Sequence, residues 1–131
     1  MDLDLENIED YTRDLGWMLK ALEQLEREFR GEMWTFEKPE EARYAFTTII
    51  FQLEPRLKDL IARRGDAYFQ QLLYKIDVSE DQIVKAISSE LDAEFSKVVS
   101  ILILKRCLQK VLMRNCHKLY EKDTPDKALE Q

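Results

Sequence analysis

The sequence predicts an all-α protein, and three observations support this. Only three Gly and three Pro occur among 131 residues, whereas the strong helix formers Ala, Leu, Glu, Lys, Gln and Arg are abundant. Apolar residues recur at helical spacing near the start, and an apolar run near the end has helix-forming flanks. We expect one domain over residues 1–122, a four- to five-helix bundle with a long N-terminal helix and a long, centrally buried C-terminal helix. A frayed polar tail should follow at 123–131.

The first predicted helix covers residues 4–30. Its apolar side chains alternate at spacings of three and four, which is a heptad seam: Ile8, Tyr11, Leu15, Met18, Leu22, Leu25 and Phe29. Such a seam is typical of an edge helix in an antiparallel bundle and also of a coiled-coil-like dimer. Trp17 and Leu19 widen the apolar face, which favours the bundle. Gly31 is predicted to end this helix in the left-handed conformation.

The connection over residues 32–38 contains three large apolar side chains, Met33, Trp34 and Phe36. They are expected either to cover one end of the core as a lid or to form an exposed patch that marks a binding site. With Trp17, these three are the candidate residues for an interface between two copies.

The middle of the chain carries clear helix boundaries. Pro39 fits the first turn of a helix that continues to about Arg64, with a kink or short break expected at Pro55. Asp66 is predicted to cap a short helix at 67–76. The sequence Ser79-Glu-Asp-Gln is a capping box that should start another helix.

The last predicted helix, about 90–121, contains the run Val98-Val-Ser-Ile-Leu-Ile-Leu104. Because its apolar side chains point in every direction on a helix, the run should be covered on all sides at the centre of the bundle. An unbroken helix from residue 80 to 120 would be about 60 Å long, too long for so small a domain. We therefore expect a break at Ser88 and Ser89.

Residues 70–83 resemble the core of a helix-turn-helix motif. The resemblance is carried by four residues around a tight turn: Ile76, Val78, Ser79 and Ile83. It implies a nucleic-acid-binding function for residues 67–87 as the alternative function. The chain departs from the motif at Asp77, where Gly is usual. Glu80 and Asp81 would also begin the recognition helix, where carboxylates repel phosphate.

The sequence offers little for catalysis. Its one histidine, His117, has no Glu three residues before it, as a di-iron bundle requires, and there is no Cys-x-x-Cys for zinc and no Gly-rich phosphate loop. Cys107 and Cys116 lie about 13 Å apart along one predicted helix and cannot bond to each other. We predict a protein that is not an enzyme and has no cofactor or metal.

Charge is distributed unevenly. The net charge is −6, but residues 101–122 carry six basic side chains and one acidic one. Within this segment Arg106, Lys110, Arg114, His117 and Lys118 form either a solvated face or a patch for an acidic partner. The acidic remainder disfavours nucleic acid and membrane surfaces.

These observations predict a cytoplasmic protein that acts through protein–protein contact. Two cysteines that cannot pair, and a start without a basic, apolar signal sequence, indicate the cytoplasm. The excess of apolar side chains on the first helix and at 33–36 predicts self-association, as a two-fold dimer through those residues. Another protein partner is also possible.

Overall fold

The computed structural model describes residues 8–89 and 94–123, and of Ser89 and residues 116–123 it describes only the backbone. Within this part of the chain all regular structure is helical, which confirms the all-α fold. The helices are α1 (Ile8–Tyr11), α2 (Leu15–Glu28), α3 (Ala45–Arg64), α4 (Asp66–Ile76), α5 (Glu80–Ser89) and α6 (Phe95–Asp123), and 3-10 turns lie at Arg30–Glu32 and Ala42–Tyr44. The predicted tail lies almost wholly outside the described residues.

Helix α6 is the centre of the bundle, as predicted. It contacts each of the other five helices, most extensively α2 and α3. Val99, Ile103 and Leu104 are fully buried, and the buried Ser100 Oγ donates a hydrogen bond of 2.6 Å to the Ser96 carbonyl. Leu102, however, is only half-buried. The apolar run is therefore not covered on all sides, because the helices that pack on α6 leave part of one flank open.

The first predicted helix is in fact two helices. The Thr12 hydroxyl donates to the Glu9 carbonyl (2.6 Å), and the Asp14 carboxylate accepts the Trp17 amide (2.9 Å). These side chains satisfy backbone groups at the end of α1 and the start of α2, so the chain turns between them. The prediction of one helix over 4–30 is wrong at this point, and residues 4–7 lie outside the described part.

The connection to α3 also differs from the prediction. Met33, not Gly31, adopts the left-handed conformation, with φ of 56°. Pro39 precedes α3 by six residues instead of lying in its first turn. The reason is that the segment runs alongside α3, where the Gln52 side chain accepts the Glu37 amide (2.7 Å) and donates to the Glu37 carbonyl (3.0 Å).

Helix α3 continues through Pro55, so of the kink or short break expected there the break is absent, and a kink stays a prediction. Pro55 is exposed, and the side chain of Arg56 donates to the nearby Gln52 carbonyl at 2.7 Å. The predicted end is confirmed: Gly65 has φ of 87°, and its amide donates to the Ile61 carbonyl. Gly65 also precedes the first residue of α4, so Asp66 opens that helix and does not cap it.

The predicted separation between the last two helices is confirmed, since α5 ends at Ser89 and α6 begins at Phe95. Ser88 and Ser89 both belong to α5, so the separation follows them instead of lying at them. None of the helices among the described residues is both long and apolar enough to cross a membrane.

Candidate functional site

The four predicted interface residues are mostly packed within their own chain. Phe36 is buried, and Trp34 is half-buried, with its ring stacked on Phe29 at a centroid distance of 4.7 Å. Trp17 is half-buried at the other end of α2. Only Met33, which is 86% exposed, presents most of its surface to water. For Trp34 and Phe36 this is the arrangement of a lid over the core.

Two residues of the predicted basic patch, Arg106 and Lys110, form ion pairs within the chain. Arg106 Nη2 donates to Asp77 Oδ2 at 2.7 Å, which ties α6 to the turn between α4 and α5. Lys110 Nζ lies 3.3 Å from Glu28 Oε1, and both side chains are largely buried. The Lys110–Glu28 pair is largely buried on both sides, whereas Asp77 is mostly exposed, so the Arg106–Asp77 pair contributes little to stability.

The rest of the predicted patch extends towards the end of α6. Arg114 Nη1 donates to Gln24 Oε1 at 2.8 Å, which again joins α6 to α2. The side chains of His117 and Lys118 lie outside the described part of the structure. An acidic partner for this segment stays a prediction.

A cavity of about 210 Å³ lies beside this segment, lined by Ile8, Glu9, Gln82, Leu102, Lys105, Arg106 and Gln109. Its two cations are already engaged. Lys105 Nζ lies 2.6 Å from Glu9 Oε1, and Arg106 Nη1 donates to Gln109 at 2.6 Å. Arg106 Nε, however, is buried without a hydrogen-bond partner among the described residues, so the hydrogen bonds of this guanidinium are only partly satisfied.

Two other surfaces expose large apolar side chains. The first is here named the α3 ridge. It is the outward face of the first half of α3 and of the 3-10 turn before it, and it consists of four exposed residues: Tyr44, Thr47, Phe51 and Pro55. Phe51 is 82% exposed, while Ile49 and Leu53 on the opposite face are fully buried. The second surface is a groove between α4, α5 and the start of α6.

The turn between α4 and α5 fixes the walls of this groove. Asp77 has φ of 73° and so adopts the left-handed conformation. At the end of a helix this position is usually occupied by Gly. The Val78 amide donates to the Leu73 carbonyl (2.9 Å), and the Asp77 amide to the Tyr74 carbonyl (3.1 Å). This is a Schellman motif, and the burial of Val78 supplies its hydrophobic contact.

The predicted capping box then starts α5. The Gln82 amide donates to Ser79 Oγ at 3.2 Å, and the Ser79 amide donates to Gln82 Oε1 at 2.9 Å. Both bonds of the box are present, so the prediction is confirmed. The two motifs lie next to each other in the chain and together set the angle between α4 and α5.

The groove has an apolar floor and partly exposed apolar walls. Its volume is about 400 Å³, and its lining residues are Asp66, Phe69, Gln70, Leu73, Glu80, Ile83, Val84, Ile87 and Phe95. Phe69, Leu73 and Ile83 are buried, whereas Val84 is 60% and Phe95 is 46% exposed. The rings of Phe69 and Phe95 meet edge to face at 6.4 Å, which holds the start of α6 against α4.

The charge of the groove has one sign. Among the described residues that line it, Asp66 and Glu80 are the charged ones, and none is Lys or Arg. Asp66 is the first residue of α4, at the end away from the connecting turn, and Glu80 is the first residue of α5, next to that turn. The two carboxylates therefore stand towards opposite ends of the groove.

The chemistry available in the described residues is limited. No group of three or more His, Cys, Asp and Glu side chains in 8–89 and 94–115 is placed to hold a metal ion. Burial raises the pKa of the Cys107 thiol far above its usual value, and the nearby Glu28 adds to this. Because the thiolate is the nucleophilic form, Cys107 behaves as a core residue.

Met33 was predicted from the sequence as a candidate interface residue, but three other exposed apolar residues were not. Helical periodicity predicts an inward position for Val84 and Phe95, but the structure exposes 60% of Val84 and 46% of Phe95. Phe51 was not singled out. Its signal is its position two residues from both Ile49 and Leu53, which places it about 200° around the helix from each of them.

No protein-family model, curated protein or solved structure matches this chain. A function must therefore be inferred from the chain's own residues and geometry.

Proposed function

We propose that this protein acts without catalysis, through protein–protein contact, and that it forms a homodimer through the α3 ridge. The observation that carries the proposal is Phe51, which exposes most of its ring on a helix whose other face is fully buried. A cytoplasmic location, expected from two cysteines that cannot pair, is part of the same proposal.

The α3 ridge replaces the interface expected from the sequence. Trp17, Trp34 and Phe36 already pack within the chain, so a partner gains little apolar burial there. The ridge lies on the exposed side of α3 and of the 3-10 turn that precedes it. A two-fold axis brings such a patch onto itself, and with the axis near Phe51 the two Phe51 rings meet. An aromatic pair contributes about 0.5–1.5 kcal/mol beyond its area.

Charge favours an antiparallel pairing of the two α3 helices. The exposed Glu40 and Glu41 precede the ridge. The exposed Lys58 follows it, and within its own chain this lysine also pairs with Glu54 and Glu94. In an antiparallel pair, Glu40 and Glu41 of one copy approach Lys58 of the other, and the two helix dipoles point in opposite directions. The ridge has only four side chains, whereas a standard interface buries about 800 Å² per partner. We therefore expect a weak dimer, with Kd of about 10–100 µM.

Sedimentation equilibrium over about 1–200 µM tests the proposal, because this range brackets the expected Kd. Phe51→Ser should raise the dimer Kd about tenfold or more, since it removes the central ring. Tyr74→Ser is the matched control: Tyr74 is an aromatic residue on α4 that is 87% exposed and lies outside the ridge. It should leave Kd unchanged.

Two results would contradict the proposal. A monomer over the whole concentration range would exclude the dimer. A dimer that Phe51→Ser leaves intact, but Met33→Ser weakens, would place the interface on the segment first expected from the sequence. Because the ridge contact is mainly apolar, raising the salt concentration should weaken the dimer only slightly.

A further inference from the structure

The groove between α4, α5 and α6 differs from the α3 ridge in shape, because it is concave. Val84 and Phe95 lose contact with water only if something enters it. A helix is the element that fits: from Glu80 to Ile87 the wall formed by α5 rises about 10 Å, which matches an apolar stripe from i to i+7 on a docked helix.

The charges of the segments outside the described residues argue against any of them as the occupant. Three segments lie outside the described residues: 1–7, 90–93 and 124–131. The first carries three acidic and no basic side chains, the second two acidic and none basic, and the third two acidic and one basic. Each would bring net negative charge to a groove that already has Asp66 and Glu80 in its lining. Like charges disfavour such a contact.

We infer that the groove binds an amphipathic helix from a different protein, with an apolar stripe of two turns and a Lys or Arg at each end of it. The stripe covers Val84 and Phe95, and the basic residues pair with Asp66 and Glu80 at opposite ends of the groove. This inference does not depend on the proposed dimer, because no residue of the α3 ridge lines the groove.

The probe is a fluorescein-labelled peptide of about 16 residues with blocked termini, long enough to form a helix on binding. It carries Leu at i, i+3, i+4 and i+7, Arg at both ends of this stripe, and Ala and Gln elsewhere. A matched peptide has Glu in place of each Arg. Fluorescence anisotropy with the full chain gives both affinities.

The Arg peptide should bind at least about tenfold more tightly than the Glu peptide at low salt, and added salt should reduce this difference. Val84→Lys fills the groove and adds a repelling charge, so it should weaken binding of the Arg peptide about tenfold or more. Glu80→Gln should weaken it about threefold, because it removes one exposed charge. Phe51→Ser, which alters the ridge only, should bind the peptide as the natural sequence does.

Equal affinity of the two peptides would overturn the inference about charge. Binding that survives Val84→Lys would show that the peptide docks elsewhere, and no binding of either peptide at millimolar concentration would show that the groove is not a helix site. Val84 is largely exposed, so its replacement should leave the fold intact. Far-UV circular dichroism of each variant checks this.

Discussion

Replacement of Leu104 by alanine should destabilise the protein by about 3–4 kcal/mol. Leu104 is 0% exposed and belongs to the core cluster that joins α6 to the surrounding helices. The substitution removes three carbons, each worth about 0.8 kcal/mol in transfer from water. A sealed void adds about 24 cal/mol per Å³ of the cavity that remains. The sum lies within the range of about 2.7–5 kcal/mol measured for such changes in another helical protein.

Leu102→Ala is the matched control, since it makes the same chemical change two residues earlier on the same helix. Leu102 is half-buried and lines the 210 Å³ cavity, so its truncation enlarges an open space and seals no void. We expect a loss of about 1–2 kcal/mol, from the transfer contribution alone and reduced by partial exposure. Urea unfolding followed by far-UV circular dichroism gives both values, provided that the m-values agree.

A Leu102→Ala cost equal to that of Leu104→Ala would refute this reasoning. It would mean that the apolar run is covered on all sides, as the sequence alone predicts. A small cost for both variants would mean that α6 is not the centre of the core.

Three further outcomes follow from the structure. Ser79→Ala removes one bond of the capping box and should cost about 1 kcal/mol in urea unfolding, whereas Ser88→Ala, in the exposed last turn of α5, should cost much less. In a Cys116→Ser background, Cys107 should react with a thiol reagent only on unfolding. Because burial raises the pKa of Cys107, the folded state keeps a proton that the unfolded state releases above about pH 8.5, and the free energy of unfolding should fall there by up to about 1.4 kcal/mol per pH unit. A Cys107→Ala variant should lack that loss. A DNA duplex should show no sequence-dependent, submicromolar binding in anisotropy at physiological salt, because the exposed Glu80 begins α5 where a recognition helix would meet phosphate.

The features that the sequence predicted correctly are set by a few neighbouring residues. The capping box needs only Ser79 and Gln82, and the end of α3 needs only a glycine able to adopt positive φ at position 65. The C-terminal core helix was predicted because its apolar run excludes a solvated position. Each of these signals acts within one or two turns of a helix, so long-range packing does not reverse it.

The errors lie where two local signals compete or where distant segments meet. The heptad seam continues through Thr12–Asp14, but the capping side chains of Thr12 and Asp14 end one helix and start the next. Pro39 suits a helix start, yet Gln52, thirteen residues later, holds the preceding segment in an extended form. That contact joins two elements whose relative placement no local pattern encodes.

The candidate groove was the least predictable feature for the same reason. Periodicity places Val84 on the inner side of α5 beside the buried Ile83, and the two differ by only one position. Which of them reaches the core depends on the angle of α5 to α4, and the turn at Asp77 sets this angle. A pattern of apolar spacing gives the face of a helix to within about one residue, and one residue is enough to turn a core position into the wall of a groove.

The structure does expose large apolar side chains, as the sequence predicts, but the proposed interface lies on α3 instead of on the first helix and residues 33–36. Arg56 explains part of the change: its guanidinium lies 4.7 Å from the centroid of the Phe36 ring, and it donates to the Thr35 carbonyl at 3.1 Å. These contacts hold the aromatic connection against α3 and cover it there. The side of α3 that faces this connection is then occupied, while on the other side 82% of Phe51 is exposed. The contacts of Arg56 therefore cover residues 33–36 on one side of α3 and leave the ridge on its other side exposed. For this reason we place the proposed dimer interface on α3 and not on the first helix.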